Sequence, residues 1–229
     1  MPAPFVVTVD GPAGAGKSTV ARLLAERIGA LYLDTGALYR ALAFYLDRSG
    51  VAPQEGACLD DALDDLTVTL REGRVLVNGE DVTAEIRTPL VDQLVSPYAA
   101  LPSIRSGLLG FQRAQAAYGP LVADGRDMGT VVFPEADVKV FLSASAEERA
   151  RRRWKELAEK GERISYEEVL SQVIRRDEID RNRSVAPLRP AEDAVLVETT
   201  DLSVDEVLAC LVDLVSSRLV LPPGGPGRA

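Results

Sequence analysis

A chain of 229 residues with 46% apolar content is long enough for one α/β domain with insertions or at most two small domains, and its apolar runs are far too short to span a membrane. With no histidine and only two isolated cysteines, Cys58 and Cys210, zinc sites and imidazole base catalysis are excluded, so any chemistry rests on Lys, Arg, Asp and hydroxyl groups. A net charge of −9 disfavours a long nucleic-acid interface, and the absence of a signal-type N-terminal segment predicts a soluble, cytoplasmic protein.

The apolar run from Phe5 to Val9 leads into Gly11-Pro12-Ala13-Gly14-Ala15-Gly16-Lys17-Ser18-Thr19. After it, Val20, Leu23, Leu24 and Ile28 recur at helical spacing. Strand, glycine turn and helix in that order, with the spacing G-x-x-x-x-G-K-[ST], describe a cradle for a nucleoside triphosphate. The glycines let successive N–H groups point inward at phosphate oxygens. Lys17 is expected to reach the β- and γ-phosphates, and the Ser18 hydroxyl to sit on Mg²⁺ at a helix N-terminus.

Gly29 stops the helix, and residues 30–34 read as a short buried strand. Thr35 then fits the N-cap of a second helix that carries Leu38, Leu42, Tyr45 and Leu46, which places its hydroxyl where a strand ends and a helix begins. Beyond Ala57 the texture changes. Asp60, Asp61, Asp64 and Asp65 form an acidic, solvated helix face. Alternation in Val68 and Leu70, a Glu72-Gly73 turn, and alternation again in Val75 and Val77 predict an antiparallel hairpin. Thr88-Pro89 opens a helix with Leu90, Val91, Leu94 and Val95 inward, and Leu101-Pro102 separates it from one carrying Ile104, Leu108 and Phe111. These elements form an inserted α+β lobe.

The parallel rhythm returns with strands at 120–124 and 138–142, and a fifth at 195–197. Ser145 with Glu148, Ser165 with Glu168 and Ser203 with Glu206 open three further helices. Asp124-Gly125-Arg126-Asp127 lies at the C-terminal end of a parallel strand, the edge that also bears the phosphate loop; otherwise Arg126 simply pairs with Asp124 or Asp127. Arg176, Asp180 and Arg183 follow i, i+4, i+7 spacing, either a surface ion-pair ladder or an active-site rim. Arg149 and Arg153, within a run that also holds Arg151 and Arg152, call for phosphate or for acidic neighbours. The segment at about 155–165 reads as a short lid, and the Pro- and Gly-rich stretch 219–229 as a flexible tail.

Taken together, DGPAGAGKST, LDTGALYRALA, the hairpin lobe with EIRTP, ADGRDMGTVVFP and RRDEIDRNRSVAPL resemble the bacterial cytidylate kinases, within the nucleoside monophosphate kinase group, from about Phe5 to Leu214. The resemblance implies a P-loop fold, a five-stranded parallel sheet flanked by helices. It implies a single kinase domain over 1–218, with core 4–56 and 116–218, a monophosphate-binding lobe at about 57–115, and the lid. It implies transfer of the γ-phosphoryl group of ATP to CMP and dCMP with Mg²⁺, by a monomer without nucleic-acid or membrane partners.

The same resemblance assigns Ser96, Arg105 and Asp127 to cytosine, and Arg176 and Asp180 to ribose. Thr35, Arg40, Arg126 and Arg183 correspond to the clamp on the monophosphate and the transferring group. Thr35 stands where family members often carry serine, and the hydroxyl is retained. Arg149 and Arg153 match lid arginines of related kinases. Two other readings share parts of this pattern. A kinase of a small hydroxyl substrate, of the shikimate type, would use the same loop and sheet without the lobe. A GTPase-like switch would carry an N-K-x-D string, which this chain lacks.

Overall fold

The computed structural model describes residues 4–71 and 73–220, so most of the expected tail, 221–229, and Glu72 of the hairpin turn lie outside the described residues. The chain forms two compact units. Among the described residues, the first comprises 4–33, 113–182 and 186–220, and the second lies within 34–112 and 183–185.

The first unit is built on the strands β1 (Val6–Asp10), β2 (Leu31–Asp34), β6 (Leu121–Gly125), β7 (Val138–Ser143) and β8 (Val195–Glu198), in the order β2-β6-β1-β7-β8. β1 pairs in parallel with both β6 and β7, and β7 with β8. Because the chain crosses from β1 to one side and later from β6 to the other, β1 stands at the switch point of the sheet, where open α/β folds bind ligands beyond the strand ends. α1 (Lys17–Ile28) and α8 (Val204–Arg218) cover one face. Their Leu24, Leu211 and Val215 join Val7, Val9, Val140 and Leu142 in a single apolar cluster. α6 (Ala146–Glu159) and α7 (Tyr166–Asn182) pack on each other through Ala150, Leu157, Val169 and Val173. All three expected Ser/Glu helix starts form. Ser203 and Glu206 make the full reciprocal box, Ser165 and Glu168 exchange the same two bonds, and the Ser145 hydroxyl accepts from Glu148 N–H.

The second unit holds α2 (Thr35–Arg48), α3 (Ala57–Asp64), β3 (Val68–Arg71), β4 (Arg74–Val77), β5 (Glu80–Asp81), α4 (Pro89–Ala99) and α5 (Pro102–Ala114), the last of which runs two residues past the unit boundary. The hairpin has the expected register, Val68 opposite Val77, and its inward Val75 and Val77 pack with Ala37, Ala41, Ile86 and Val91. Three expectations are corrected. The cap of α2 is Asp34 rather than Thr35: Asp34 Oδ1 accepts from the Ala37 N–H at 2.9 Å, and Thr35 is the first helical residue. Leu90 is 61% exposed instead of inward, because Val91 and Val95 already fill the buried stripe of α4. A third strand, β5, adds to the hairpin across Asn78-Gly79, both of which have positive φ, at 49° and 82°.

Candidate active site

The loop between β1 and α1 is closed by backbone geometry that only glycine accepts. Gly11 has φ 147°, and a Cβ there would lie 2.1 Å from the Leu142 carbonyl oxygen, so the loop cannot approach β7 with any side chain present. Gly16 stands in the left-handed region as the N-cap of α1 and supplies no side-chain cap, which leaves the first N–H groups of the helix for an anion. The carbonyls of the rest of the loop are held by side chains, one from within it and two from outside. Pro12 O accepts from Lys17 Nζ at 2.6 Å, Ala13 O from Arg149 at 3.1 Å, and Ala15 O from the Thr199 hydroxyl at 3.4 Å. Gly14 lies against Arg149, where a Cβ would come within 3.0 Å of that residue's own Cβ. Ser18 and Thr19 are exposed on the first turn of α1.

Lys17 is 5% exposed, and it bends back over the loop it belongs to. Burial first, and the Arg126 charge next, push its ammonium well below the ordinary lysine value, while Asp124 and Asp10 pull the other way. A cation so placed gains most from an anion that enters beside it.

The Ser18 hydroxyl donates to Asp124 Oδ2 at 2.6 Å, and the Tyr32 hydroxyl donates to Asp124 Oδ1 at 3.0 Å. Asp124, at the end of β6, is thus the partner that Ser18 lacked in the sequence pattern. A serine hydroxyl and one carboxylate are hard oxygen donors and suit Mg²⁺, which keeps several waters and completes its shell with substrate phosphate. No group of three or more His, Cys, Asp or Glu able to hold a metal occurs among the described residues.

Arg126 pairs with neither Asp124 nor Asp127: its Nε donates to Asp180 Oδ2 at 3.0 Å, and one of its NH groups to Gly125 O at 3.2 Å. Asp180 on α7, 4% exposed, is therefore an ion-pair partner across 54 positions of chain. Asp127 is 2% exposed at the start of a wide helical turn, Met128–Val132. Arg176 is half-buried on α7, close enough for its charge to act on Lys17. Arg183 falls just past the end of α7 and belongs to the second unit, so the i, i+4, i+7 helical face ends at Asn182.

The arginine run on α6 finds acidic neighbours. Arg151 and Arg152 both bond Glu148, and Arg153 reaches Glu156 at 3.2 Å. Arg149 is 2% exposed and makes a bidentate pair with Asp177, at 3.0 and 2.6 Å, while its Nε donates to Ala144 O. A groove of about 460 Å³ opens beside this pair, lined also by Ser145, Ile174 and Asn182.

In the second unit Thr35 is 1% exposed at the start of α2, and Arg40 Nε donates to Asp92 at 3.1 Å. Asp34, having capped the helix with one oxygen, holds Arg87 at 2.6 Å with the other. Ser96 and Arg105 are buried, and Arg105 donates to Ala99 O at 3.0 Å and stacks 5.2 Å above the Tyr39 ring. Arg183 is 9% exposed.

A family model described as cytidylate kinase matches residues 7–217. A cytidylate kinase of Carboxydothermus hydrogenoformans is 49% identical over 216 residues, which cover 93% of this chain and 97% of that protein. One of Geobacter sulfurreducens is 48% identical over 224 residues, covering 96% of each. Among solved structures, an uncharacterised protein of Eubacterium ventriosum aligns with a TM-score of 0.53 at 12% identity, over 93% of this chain and 99% of that one, a likeness of fold alone.

Proposed function

The chain belongs to the cytidylate kinase family, and from that premise we propose that it moves the γ-phosphoryl group of ATP to CMP and dCMP, giving ADP and the diphosphate. The observation that carries this reading is the cradle itself, a glycine loop at the switch point of a parallel sheet with Lys17 buried inside it. A phosphate oxygen of CMP attacks the γ-phosphorus, the bond to the β–γ bridging oxygen breaks, and ADP departs with that electron pair. Such a transfer needs alignment and charge stabilisation more than a base, so a chain without histidine is well equipped for it.

Lys17, Arg126, Arg183 and Arg153 are assigned to the charge that spreads over the transferring group, and residues 11–19 with Arg149 to ATP. Thr35 and Arg40 hold the monophosphate, Arg176 and Asp180 the ribose, and Ser96, Arg105 and Asp127 the cytosine. Mg²⁺ would be held by Ser18 and Asp124 and would neutralise phosphate charge. We read the protein as a cytoplasmic monomer acting on small nucleotides. No helix among the described residues is long and apolar enough to cross a membrane.

A coupled assay offering CMP, dCMP, UMP, AMP and shikimate with ATP tests the activity: turnover should be fastest on the cytidine nucleotides, and turnover on shikimate alone would overturn the assignment. Base choice rests on Asp127. A carboxylate accepts from the cytosine N4 amino group but meets the uracil carbonyl oxygen to oxygen. Asp127→Asn is expected to keep the fold and to lower the kcat/KM ratio of CMP over UMP by about 1 to 3 kcal/mol. A ratio that stays put while stability falls makes Asp127 structural.

The lid proposed at about 155–165 comprises the last turn of α6 and the connection to α7. Its closure over nucleotides would exclude water from the reaction. Amide hydrogen exchange across 155–165 should slow when CMP and an inert ATP analogue bind together, and unchanged exchange would argue for a static surface.

A further inference from the structure

A strand buried on both faces is ordinarily apolar on both, and β1, flanked by β6 and β7, obeys this on one face only. Val7 and Val9 are fully buried in the main cluster, whereas the alternate positions are Thr8, fully buried, and Asp10, 5% exposed. A buried carboxylate requires partners. Asp10 Oδ1 accepts from the Met128 N–H at 2.8 Å, and its Oδ2 from the Gly129 N–H at 2.7 Å. Both donors belong to the turn that follows Arg126 and Asp127 directly. That turn presses on the strand: a Cβ at Gly129 would lie 3.0 Å from Thr8 Oγ1 and 3.2 Å from the Lys139 side chain. Thr8 Oγ1, beneath it, is buried without a hydrogen-bond partner among the described residues. Packing alone would hold the turn down. Two charge-assisted bonds to successive amides also fix its rotation, and with it the peptide planes that lead back to Arg126 and Asp127.

We infer that Asp10 is a positioning residue for the acceptor nucleotide: by gripping the Met128 and Gly129 amides, its carboxylate orients Arg126 and Asp127 and so sharpens selection of cytosine. The inference rests on the assignment of Asp127 to the base. It carries a pH signature. Burial raises the Asp10 pKa from 3.8 to about 7; the two amide bonds oppose the rise, Asp127 on the turn adds to it, and Lys17 on α1 offsets it. Around Lys17 stand Asp124, Arg126 and Arg176, and Lys139 of β7, which passes the same turn, is committed to Pro134 O and Asp193. Protonation turns one accepting oxygen into an O–H that faces an N–H. The grip is therefore present above about pH 7 and is lost as pH falls through it. The chain has no histidine to mask this titration.

In the unmodified protein the Met128 and Gly129 amide proton resonances should shift together with a midpoint near 7, and a flat response over this range overturns the inference without any variant. Asp10→Asn, which cannot accept from both amides, should raise KM for CMP and lower the CMP-over-UMP ratio by about tenfold, with KM for ATP changed by less than about twofold. The wild-type ratio should climb with pH through the midpoint, while that of the variant should be low and level. Since CMP phosphate itself titrates near pH ~6, the difference between the two profiles is the readout. A variant that retains the wild-type ratio and profile, while Asp127→Asn loses selectivity, overturns the role of Asp10 alone. An unchanged ratio in both variants overturns the Asp127 assignment, and with it the selectivity claimed for Asp10.

Discussion

Replacing Lys17 with alanine is expected to lower kcat by at least ~10²-fold, the scale of removing one preorganised electrostatic donor. The side chain lies 5% exposed within the loop, with Arg126 near enough to depress its proton affinity. Among the described residues its ammonium is bonded to one loop carbonyl, Pro12 O. A cation whose charge is disfavoured by burial and by Arg126 is stabilised by whatever negative charge enters the cradle, and stabilises that charge in turn. The gain grows as charge spreads over the phosphoryl oxygens during transfer, so the loss should fall on kcat more than on the KM of either substrate. Circular dichroism and a melting curve check that the mutant is folded. A folded Lys17→Ala protein with near-normal kcat removes Lys17 from the chemistry.

How much of this was legible beforehand depended on the range of each interaction. The loop from Gly11 to Thr19, the five core strands and the Ser/Glu helix starts are encoded within a few residues of themselves, by glycine spacing, apolar periodicity and local side-chain caps, and each formed, although β2, expected to be buried, buries only Leu33 and leaves Leu31 45% exposed. The hairpin at 68–77 was equally local, and β5 could have been read from Asn78-Gly79, the strongest short hairpin signal, had its two charged residues not concealed a strand. Asp34 and Thr35 are adjacent and both competent caps, and only the geometry of Asp34 toward Ala37 decides between them.

The pairings that build the candidate site were not legible. Ser18 with Asp124 spans 106 positions, Tyr32 with Asp124 spans 92, and Arg126 with Asp180 spans 54. No local pattern constrains a pair at such distance; the parallel crossovers that bring β6 beside β1 do. Asp10 was missed for another reason. As the last residue of a strand leading into a glycine loop it resembles a turn residue, and its burial on the polar face of β1 follows only from the strand order.

Arg149 joins both kinds of information, since the sequence marks it for phosphate and the fold also bonds its guanidinium to protein groups. Two of its nitrogens hold Asp177, one of these also reaches Ala13 O of the loop, and its Nε reaches Ala144 O. Both members of the pair are buried, at 2% and 6% exposure. Removing one partner from such a pair strands the other charge away from water and costs about 3 to 5 kcal/mol. Another cation beside Asp177, Arg181, stands 3.9 Å away on an exposed side chain, too loosely placed to take over. Arg149→Ala should therefore lower Tm by about 6 to 20 °C, at about 2 to 4 °C per kcal/mol for a chain of this size. Arg149→Lys keeps the charge but loses the fork, and should recover only part of that loss. The double variant Arg149→Met with Asp177→Leu should recover more, because an apolar pair of similar volume leaves no stranded charge. KM for ATP is expected to rise in all three variants, since the Ala13 carbonyl loses its anchor whatever fills the space. If Arg149→Ala instead melts with the wild type and only its KM for ATP rises, the guanidinium serves the nucleotide and its bond to Asp177 contributes nothing to the fold.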